Sequence, residues 1–211
     1  MAYLNTSDFG PVAPKWFGSY EAEIQDLVCG LCESGYETIT NVGSAEGYYA
    51  VGFVRAGAAS RIFAFDIDPF ARRALAALAQ MNGVAERIEI RKTCAWNVLN
   101  DLRSEKQLLF IDIEGAELDL LDPGECDALR QSDILVELHQ SRAGNEIEET
   151  ICSRFAASHD IERRQQTDRS EWIAANRHVW ERRLSEEEVV RATNEFRTGN
   201  QVWLWLKKQN G

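Results

Sequence analysis

Short apolar runs alternate with segments of helical character along the 211 residues of the chain. Five of these β-like runs predict the strands of a sheet, and the second is almost entirely apolar, as a strand buried on both faces should be. Their bounds are Glu37–Val42, Arg61–Asp66, Ile88–Ile90, Leu108–Ile113 and Ile134–Leu138. Helical segments between successive runs indicate βα units, and therefore a mostly parallel sheet with helices on both faces.

The predicted helices carry boundary signals of different strength. One spans about Glu21 to Cys32, before the first strand, and another begins at about Gly47. The clearest has Asp68 as its N-cap, Pro69 in its first turn and Gly83 after its end. Helices therefore flank the first two predicted strands.

The chain ends in a strand–insert–strand arrangement instead of another βα unit. A helix over about Ile147–Phe155 leads to a sixth strand near Ile161, and Gln201–Leu206 gives a seventh. A polar, helical insert at 168–198 separates these two strands. The pattern predicts a Rossmann-like, doubly wound α/β fold with a seven-stranded, mostly parallel sheet and an antiparallel last strand. Residues 1–211 fit one domain.

Charge and cysteine content narrow the classes of function. The chain has 23 Lys and Arg against 34 Asp and Glu, a net charge of -11. It repels polyanions on average, so we expect no nucleic-acid partner. No apolar run approaches the ~20 residues of a membrane span, and no secretory signal begins the chain, so we expect no membrane association.

Five cysteines, an odd number, predict a reducing, cytoplasmic location. Cys29 and Cys32 form a lone C-x-x-C, expected to be small buried hydrophobes instead of a metal or redox site.

The first candidate site is the string Asn41-Val-Gly-Ser-Ala-Glu-Gly47. Gly43 and Gly47 allow a tight turn, and the helix that follows offers free N–H groups to an anionic ligand group. A β–α turn that merely needs glycine is the alternative. Asp66 ends the second strand about 20 residues later, where an acid can accept hydrogen bonds from both hydroxyls of a ribose. Together these residues predict a nucleoside-type ligand.

Acidic and imidazole groups follow two further predicted strands. Asp112 and Glu114 leave the fourth strand on one face, and Glu137 and His139 leave the fifth. Ligands of open α/β sheets lie at this edge, so we predict catalytic roles for Asp112, Glu114 and His139. His139 suits removal of a proton from an acceptor hydroxyl. A structural histidine and a cluster of acids at a helix start, including Glu117, are the alternatives.

Three strings together resemble class I S-adenosylmethionine-dependent methyltransferases. They are Asn41-Val-Gly-Ser-Ala-Glu-Gly-Tyr-Tyr-Ala50, Phe63-Ala-Phe-Asp-Ile-Asp-Pro69 and Ile111-Asp-Ile-Glu-Gly-Ala-Glu117. The D-x-E-G-A-E string is most similar to the FkbM-type branch, which includes many small-molecule O-methyltransferases. The resemblance spans roughly residues 37–140 and, more loosely, the last strand. It departs from the usual pattern at Asn41, where an acidic residue is common, and at Ala45, where the G-x-G-x-G form has glycine.

The resemblance implies S-adenosylmethionine as the cofactor. Gly43 and its neighbours would line the methionine part, Asp66 would hold the ribose, Cys94 and Ala95 would lie along the adenine, and Asp112 would sit by the transferring methyl. The full set of residues implied at the cofactor is Asn41, Gly43, Ser44, Glu46, Gly47, Asp66, Ile67, Cys94, Ala95 and Asp112.

The same resemblance implies methyl transfer to a small molecule, with O-methylation of a hydroxyl as the expected reaction. Residues 1–20 are predicted to form a flap over the cofactor edge, and the insert at 168–198 to cap the substrate. Ordinary packing against the core is the alternative for both segments. The side chains predicted to contact the acceptor are Lys15, Trp16, Tyr20, Glu114, Glu137 and Trp172.

A metal is not expected, because a sulfonium methyl is already activated and the enzyme needs chiefly to align the acceptor. If a divalent ion did lower the pKa of an acceptor hydroxyl, Asp112, Glu137 and His139 would be its ligands. The identity of the acceptor and the oligomeric state stay open.

Three other interpretations remain at this point. Methylation of an RNA or a protein is disfavoured by the acidic composition but stays open. A nicotinamide-dependent oxidoreductase would carry G-x-G-x-x-G, whereas this chain has G-x-x-x-G at 43–47. A non-catalytic nucleoside-binding module would keep the fold without turnover.

Overall fold

A seven-stranded sheet forms the centre of the computed structural model, which describes residues 1–5, 9–139, 145–197 and 201–209. The strands are β1 Tyr36–Val42, β2 Ala59–Phe65, β3 Ile88–Arg91, β4 Gln107–Ile111, β5 Asp133–Leu138, β6 His159–Gln165 and β7 Val202–Lys208. Their order across the sheet is β3-β2-β1-β4-β5-β7-β6. Neighbours among β1 to β5 pair in parallel, whereas β7 lies antiparallel between β5 and β6. The predicted sheet and its antiparallel last strand are confirmed.

Helices connect the strands and cover both faces of the sheet. They are α1 Val12–Phe17, α2 Gln25–Glu33, α3 Tyr48–Ala56, α4 Pro69–Met81, α5 Trp96–Asp101, α6 Glu117–Leu120, α7 Asp127–Gln131, α8 Glu146–Phe155, α9 Ser170–Ala175, α10 Arg177–Trp180 and α11 Glu186–Ala192. Single 3₁₀ turns span Ala22–Ile24 and Ala85–Arg87. In the described part of the chain, no helix combines the length and apolar character needed to cross a bilayer.

The sheet separates two hydrophobic cores, because alternate side chains of a strand point to opposite faces. In β4, Leu108 and Phe110 pack with the core under α3 and α4, while Leu109 and Ile111 pack with the core under α7 and α8. Every residue of β4 is buried. A strand covered on both faces reads as a continuous apolar run, which is why its position was predictable.

Helix α4 has the boundaries that its sequence predicts. Asp68 Oδ1 accepts a hydrogen bond from the Phe70 N–H at 2.8 Å, and Pro69 occupies the first turn. Gly83 follows the helix with a φ of +67°, and its N–H donates to the Gln80 carbonyl at 3.0 Å. The cap and the left-handed glycine therefore set the two ends of the helix.

The structure corrects two predicted boundaries. Strand β4 ends at Ile111 instead of Ile113, because the chain turns sharply at Glu114, which has a φ of +54°. The predicted helix from Glu21 begins later, as α2 at Gln25, because Glu21 is left-handed with a φ of +50° and precedes a 3₁₀ turn. The Glu21 N–H donates to the Glu195 carboxylate, which holds this turn against the C-terminal half.

The C-x-x-C pair is less buried than predicted. Cys29 is exposed and Cys32 is half-buried, because Leu31 is the residue through which α2 enters the core. Cys32 packs against the edge of the core under α3 and α4, whereas Cys29 lies on the exposed side of α2.

The insert has a small core of its own. Ile173, Trp180 and Val189 are buried together, with Phe17 of α1 packed against them. Ser185 begins α11 with a capping box: its side chain accepts from the Glu188 N–H, and the Glu188 carboxylate accepts from the Ser185 N–H. Residue 198 of the predicted insert, and residues 6–8 of the predicted flap, lie outside the described residues.

A buried histidine at the start of β6 predicts a pH-dependent stability. The Nε2–H of His159 donates to the Ser132 carbonyl at 2.9 Å, and Nδ1 lies 2.9 Å from the Ser158 hydroxyl. Burial lowers the pKa of His159 below its usual value of about 6.5. The unfolded chain therefore binds more protons in mildly acidic solution, and stability falls as the pH drops through this range.

We expect His159→Gln to lose less free energy of unfolding than the wild type between pH 7.5 and pH 5.5. Urea unfolding at several pH values measures the difference, which can reach about 1.4 kcal/mol per pH unit for one group. Parallel pH profiles of the two proteins would show that His159 has no such role.

Candidate active site

The glycines after β1 are required by packing inside the protein. Gly43 has a φ of +77°, and a Cβ added there would lie 1.6 Å from the Asp112 carbonyl oxygen. Gly47 has a φ of +93°, and its Cβ would lie 2.2 Å from Leu75 Cδ1 of α4. Ala45 also has a positive φ, +45°, although it carries a side chain. The backbone of the turn thus keeps its left-handed conformation where the usual pattern has glycine.

Asp66 ties this turn to the turn after β2. Its Oδ2 accepts from the Ala45 N–H at 2.8 Å, and its Oδ1 accepts from the Asp68 N–H at 2.8 Å. Each carboxylate oxygen keeps further acceptor capacity. Asp66 is therefore held in place by backbone groups and can still receive hydrogen bonds from a ligand.

An apolar cavity of about 630 Å³ opens at the carboxyl ends of β1 to β4. Strand order reverses between β1 and β4, and ligands of open α/β sheets bind at this switch point. The residues that line the cavity are Val42, Gly43, Phe65, Asp66, Ile67, Lys92, Thr93, Cys94, Ala95, Trp96, Asn97, Asp112, Ile113, Glu114, Ala116, Asp119 and Leu120.

Most residues predicted at the cofactor line the apolar cavity. They are Gly43, Asp66, Ile67, Cys94, Ala95 and Asp112. Asn41, Ser44 and Glu46 instead face a second cavity, because the turn after β1 presents its outer side there. Gly47 lines neither of these cavities, since it packs against α4.

Sequence reasoning missed several lining residues that follow β3 and β4. Lys92, Thr93 and Asn97 follow β3, and Asp119 and Leu120 lie in α6. The end of α6 is close to the start of α5, because the Trp96 indole N–H donates to the Leu120 carbonyl at 3.0 Å. The sequence signal that could have identified these lining residues is their position after the carboxyl ends of β3 and β4.

A second, acidic cavity of about 470 Å³ adjoins the first. It lies at the ends of β1, β4 and β5, under the N-terminal segment and the end of the insert. Its lining residues are Phe9, Gly10, Pro11, Lys15, Tyr20, Asn41, Gly43, Ser44, Ala45, Glu46, Tyr48, Tyr49, Asp66, Phe110, Asp112, Glu114, Glu137, His139, Glu195, Arg197 and Gln201. The two cavities share Gly43, Asp66, Asp112 and Glu114.

His139 lies among four carboxylates at the boundary between the cavities. Its Nδ1 is 2.6 Å from Glu117 Oε1. Its Nε2 is 3.5 Å from Asp112 Oδ1, 3.3 Å from Glu114 Oε2 and 3.9 Å from Glu137 Oε2. The structure therefore brings together the three residues predicted as catalytic, and adds Glu117.

These contacts shift the pKa values of His139 and Asp112. Burial favours the neutral imidazole, but the hydrogen bond that the ring donates to Glu117 and the charges of the other carboxylates outweigh it and raise the pKa of His139 to about 9. Burial, with the charges of Glu137 and Glu21, raises the pKa of Asp112 well above its usual value. His139 is therefore cationic at neutral pH, and it can take up a proton there only after releasing its own.

An ion network forms the far wall of the acidic cavity. Arg197 pairs with Glu21, Glu137 and Glu195, and all four side chains are largely buried. Arg169 continues the network by pairing with Glu195 and with Glu23, the latter at 2.9 Å. The network joins the segment before α2 to the insert.

The residues predicted to contact an acceptor fall into two groups. Glu114, Glu137 and Tyr20 line the acidic cavity, and Lys15 lines it while its ammonium pairs with Glu46.

Two residues predicted to contact an acceptor, Trp16 and Trp172, lie away from the acidic cavity, so these two predictions are wrong. Trp16 is 56% exposed and lines none of the described cavities, because Lys15, its neighbour on α1, takes the inward direction. Trp172 packs against the small core of the insert.

The architecture agrees with comparisons to solved structures. Precorrin-6y C5,15-methyltransferase from Geobacter metallireducens matches with a TM-score of 0.56 at 12% identity, covering 89% of this chain and 87% of that one. A candidate tRNA (m1A22) methyltransferase from Streptococcus pneumoniae, solved with S-adenosyl-L-methionine, matches with a TM-score of 0.55 at 11% identity, covering 88% of this chain and 72% of that one. The chain thus has the fold of class I S-adenosylmethionine-dependent methyltransferases.

A curated relative adds a sequence similarity. Ribosomal protein L11 methyltransferase of Pelotomaculum thermopropionicum is 30% identical over 139 residues, which are 65% of this chain and 42% of that protein. The chain thus spans less than half of the length of this relative. No family model matches the sequence.

The comparisons overturn the expectation of a small-molecule acceptor without a nucleic-acid partner. The curated relative is named for a ribosomal protein, and one matching structure is named for a tRNA. Net negative charge describes the whole surface, whereas the acceptor is selected by one cavity, so composition was a poor guide to the partner.

Proposed function

We propose that this chain is an S-adenosylmethionine-dependent methyltransferase that binds its cofactor in the apolar cavity and its acceptor in the acidic cavity. The observation that carries the proposal is the shared boundary of the two cavities at Gly43, Asp66, Asp112 and Glu114. A group that moves from one ligand to the other must cross such a boundary. A cavity for one ligand alone, as in a non-catalytic binding module, needs no second compartment.

The apolar cavity suits an adenosine. Cys94, Ala95 and Trp96 form its apolar wall after β3, where an adenine would lie. Asp66 would accept hydrogen bonds from the ribose hydroxyls. Asp112, which lines both cavities, would then lie beside the sulfonium, where its carboxylate favours a positive charge.

The methylated group is proposed to be a hydroxyl, with the FkbM-type branch as the finer assignment on the strength of the D-x-E-G-A-E string. The reaction forms a bond between the acceptor oxygen and the methyl carbon, breaks the bond from that carbon to sulfur, and releases the hydroxyl proton. The carboxylates of Asp112, Glu114 and Glu137 face the acidic cavity and can receive that proton.

Cofactor binding tests this function directly. We expect isothermal titration calorimetry to show binding of S-adenosylhomocysteine and none of NAD. Asp66→Asn should weaken S-adenosylhomocysteine binding by at least tenfold, because charge-assisted hydrogen bonds contribute about 1.5–3 kcal/mol each. Binding of NAD in place of S-adenosylhomocysteine would favour the oxidoreductase instead.

Asp68→Asn is the matched control, since it makes the same change two residues away. Asp68 caps α4 and is absent from the lining of both cavities, so its variant should bind S-adenosylhomocysteine as the wild type does. Thermal unfolding of both variants shows whether they remain folded. Equal affinity of the Asp66 variant and the wild type would remove the ribose role.

A further inference from the structure

Three potential metal ligands meet at the boundary of the two cavities. His139 Nε2 lies 3.5 Å from Asp112 Oδ1 and 3.3 Å from Glu114 Oε2, and the three ligand atoms all lie within 4.8 Å of one another. Oxygen and nitrogen ligands bind divalent ions at about 2.0–2.5 Å, so neighbouring ligands in one coordination sphere are about 3–4.5 Å apart. Both distances from His139 Nε2, to Asp112 and to Glu114, fall within this range.

The imidazole is already oriented for coordination. Glu117 is fully buried, and its Oε1 accepts from the Gly115 N–H at 3.0 Å and contacts His139 Nδ1 at 2.6 Å. A carboxylate that holds Nδ1–H leaves the other ring nitrogen with a free lone pair when the ring is neutral. Metal-binding histidines commonly have this arrangement. The carboxylate bonded to one ring nitrogen fixes the orientation of the ring and increases the basicity of the other nitrogen. Here Nε2 faces Asp112 and Glu114.

One carboxylate oxygen of this set lacks a hydrogen-bond partner in the described part of the chain. Asp112 Oδ1 is shielded from solvent and has no hydrogen-bond partner among the described residues. Glu137 is 2% exposed, and its Oε1 pairs with Arg197 while its Oε2 lies 3.9 Å from His139 Nε2. Buried carboxylate oxygens normally have partners, since burial without one is costly. A cation beside His139 Nε2 would give Asp112 Oδ1 the partner that it lacks.

We propose that Asp112, Glu114 and His139 bind a divalent transition-metal ion, with Glu117 as the positioning residue for the imidazole. A mixed carboxylate and imidazole set favours ions such as Mn²⁺ over Ca²⁺ and Mg²⁺, which prefer oxygen ligands. Three protein ligands leave coordination positions open toward the acidic cavity. The site requires only these side chains, so it does not depend on the proposed methyl transfer.

The test is titration of the metal-free full chain with Mn²⁺ in the absence of cofactor, followed by electron paramagnetic resonance. We expect one ion bound per chain, with a nitrogen coupling from the imidazole in pulsed spectra. Glu114→Gln should weaken Mn²⁺ binding at least tenfold, and His139→Gln should also remove the nitrogen coupling. The Glu114 side chain is 83% exposed, so its variant should fold normally.

Glu149→Gln is the matched control, because it removes the same charge from an exposed position on α8. It should bind Mn²⁺ as the wild type does. Absence of stoichiometric Mn²⁺ binding to the folded wild type, or equal binding by Glu114→Gln and the control, would overturn the site. S-adenosylhomocysteine titrations of the same metal-free samples report separately on the proposed function.

Discussion

Replacing Gly43 with alanine is expected to lower the free energy of unfolding by about 3 kcal/mol or more and to abolish S-adenosylhomocysteine binding. The new Cβ would lie 1.6 Å from the Asp112 carbonyl oxygen, which is backbone and cannot rotate away. Relief requires the turn after β1 to separate from the end of β4, where the Asp112 N–H donates to the Val42 carbonyl at 2.9 Å. Overpacking of this kind costs about 1–3 kcal/mol or more, and the left-handed φ adds about 1–2 kcal/mol.

The variant Gly57→Ala separates the cost of the steric overlap from the cost of the left-handed backbone conformation. Gly57 ends α3 with the same φ, +77°, but nothing lies within 4 Å of a Cβ added there. We expect its alanine variant to lose only about 1–2 kcal/mol and to bind S-adenosylhomocysteine normally. Urea unfolding of the wild type and both variants provides the comparison. If the two variants lose the same free energy, backbone conformation alone accounts for Gly43.

The fold was predictable because its signals are local. β4 is buried on both faces and reads as a continuous apolar run, and α4 shows its cap, proline and terminal glycine within one segment. The left-handed residues Glu21 and Glu114 were not predictable, since glutamate rarely adopts a positive φ. Glu21 is held by Glu195 and Arg197, which are distant in the chain, and the turns at Glu21 and Glu114 account for both corrected boundaries.

The candidate site was predictable as far as strand ends identify it. Asp66, Asp112 and His139 follow β2, β4 and β5, and parallel strands bring such residues to one edge of the sheet. Arg197 had no comparable signal, because it follows the insert and pairs with Glu21, 176 positions away in the chain. Sequence patterns report neighbours along an element, whereas the wall of the acidic cavity is made by segments that meet only after folding.

Replacing Arg197 with methionine is expected to lower the free energy of unfolding by about 3–5 kcal/mol. Methionine keeps much of the buried hydrocarbon volume but leaves Glu21, Glu137 and Glu195 without their shared cation. Removing one partner of a buried ion pair destabilises strongly, because the remaining charge is neither solvated nor compensated. Urea unfolding measures the loss. Arg191→Met is the control, since Arg191 forms an exposed pair with Glu187 and should change stability little.

The loss should grow with pH, which distinguishes uncompensated charge from lost packing. Burial and the charge of Glu137 raise the pKa of Glu21 to about 7, although Arg197 opposes them. A carboxyl group whose pKa is higher in the folded state loses stability as the pH rises, from the unfolded pKa up to the folded one. In the wild type, the loss of stability caused by Glu21 therefore ends near pH 7. Without Arg197 the folded pKa rises further, so the variant should continue to lose stability between pH 7 and pH 8. A difference between variant and wild type that stays constant over this range would assign the effect to packing alone.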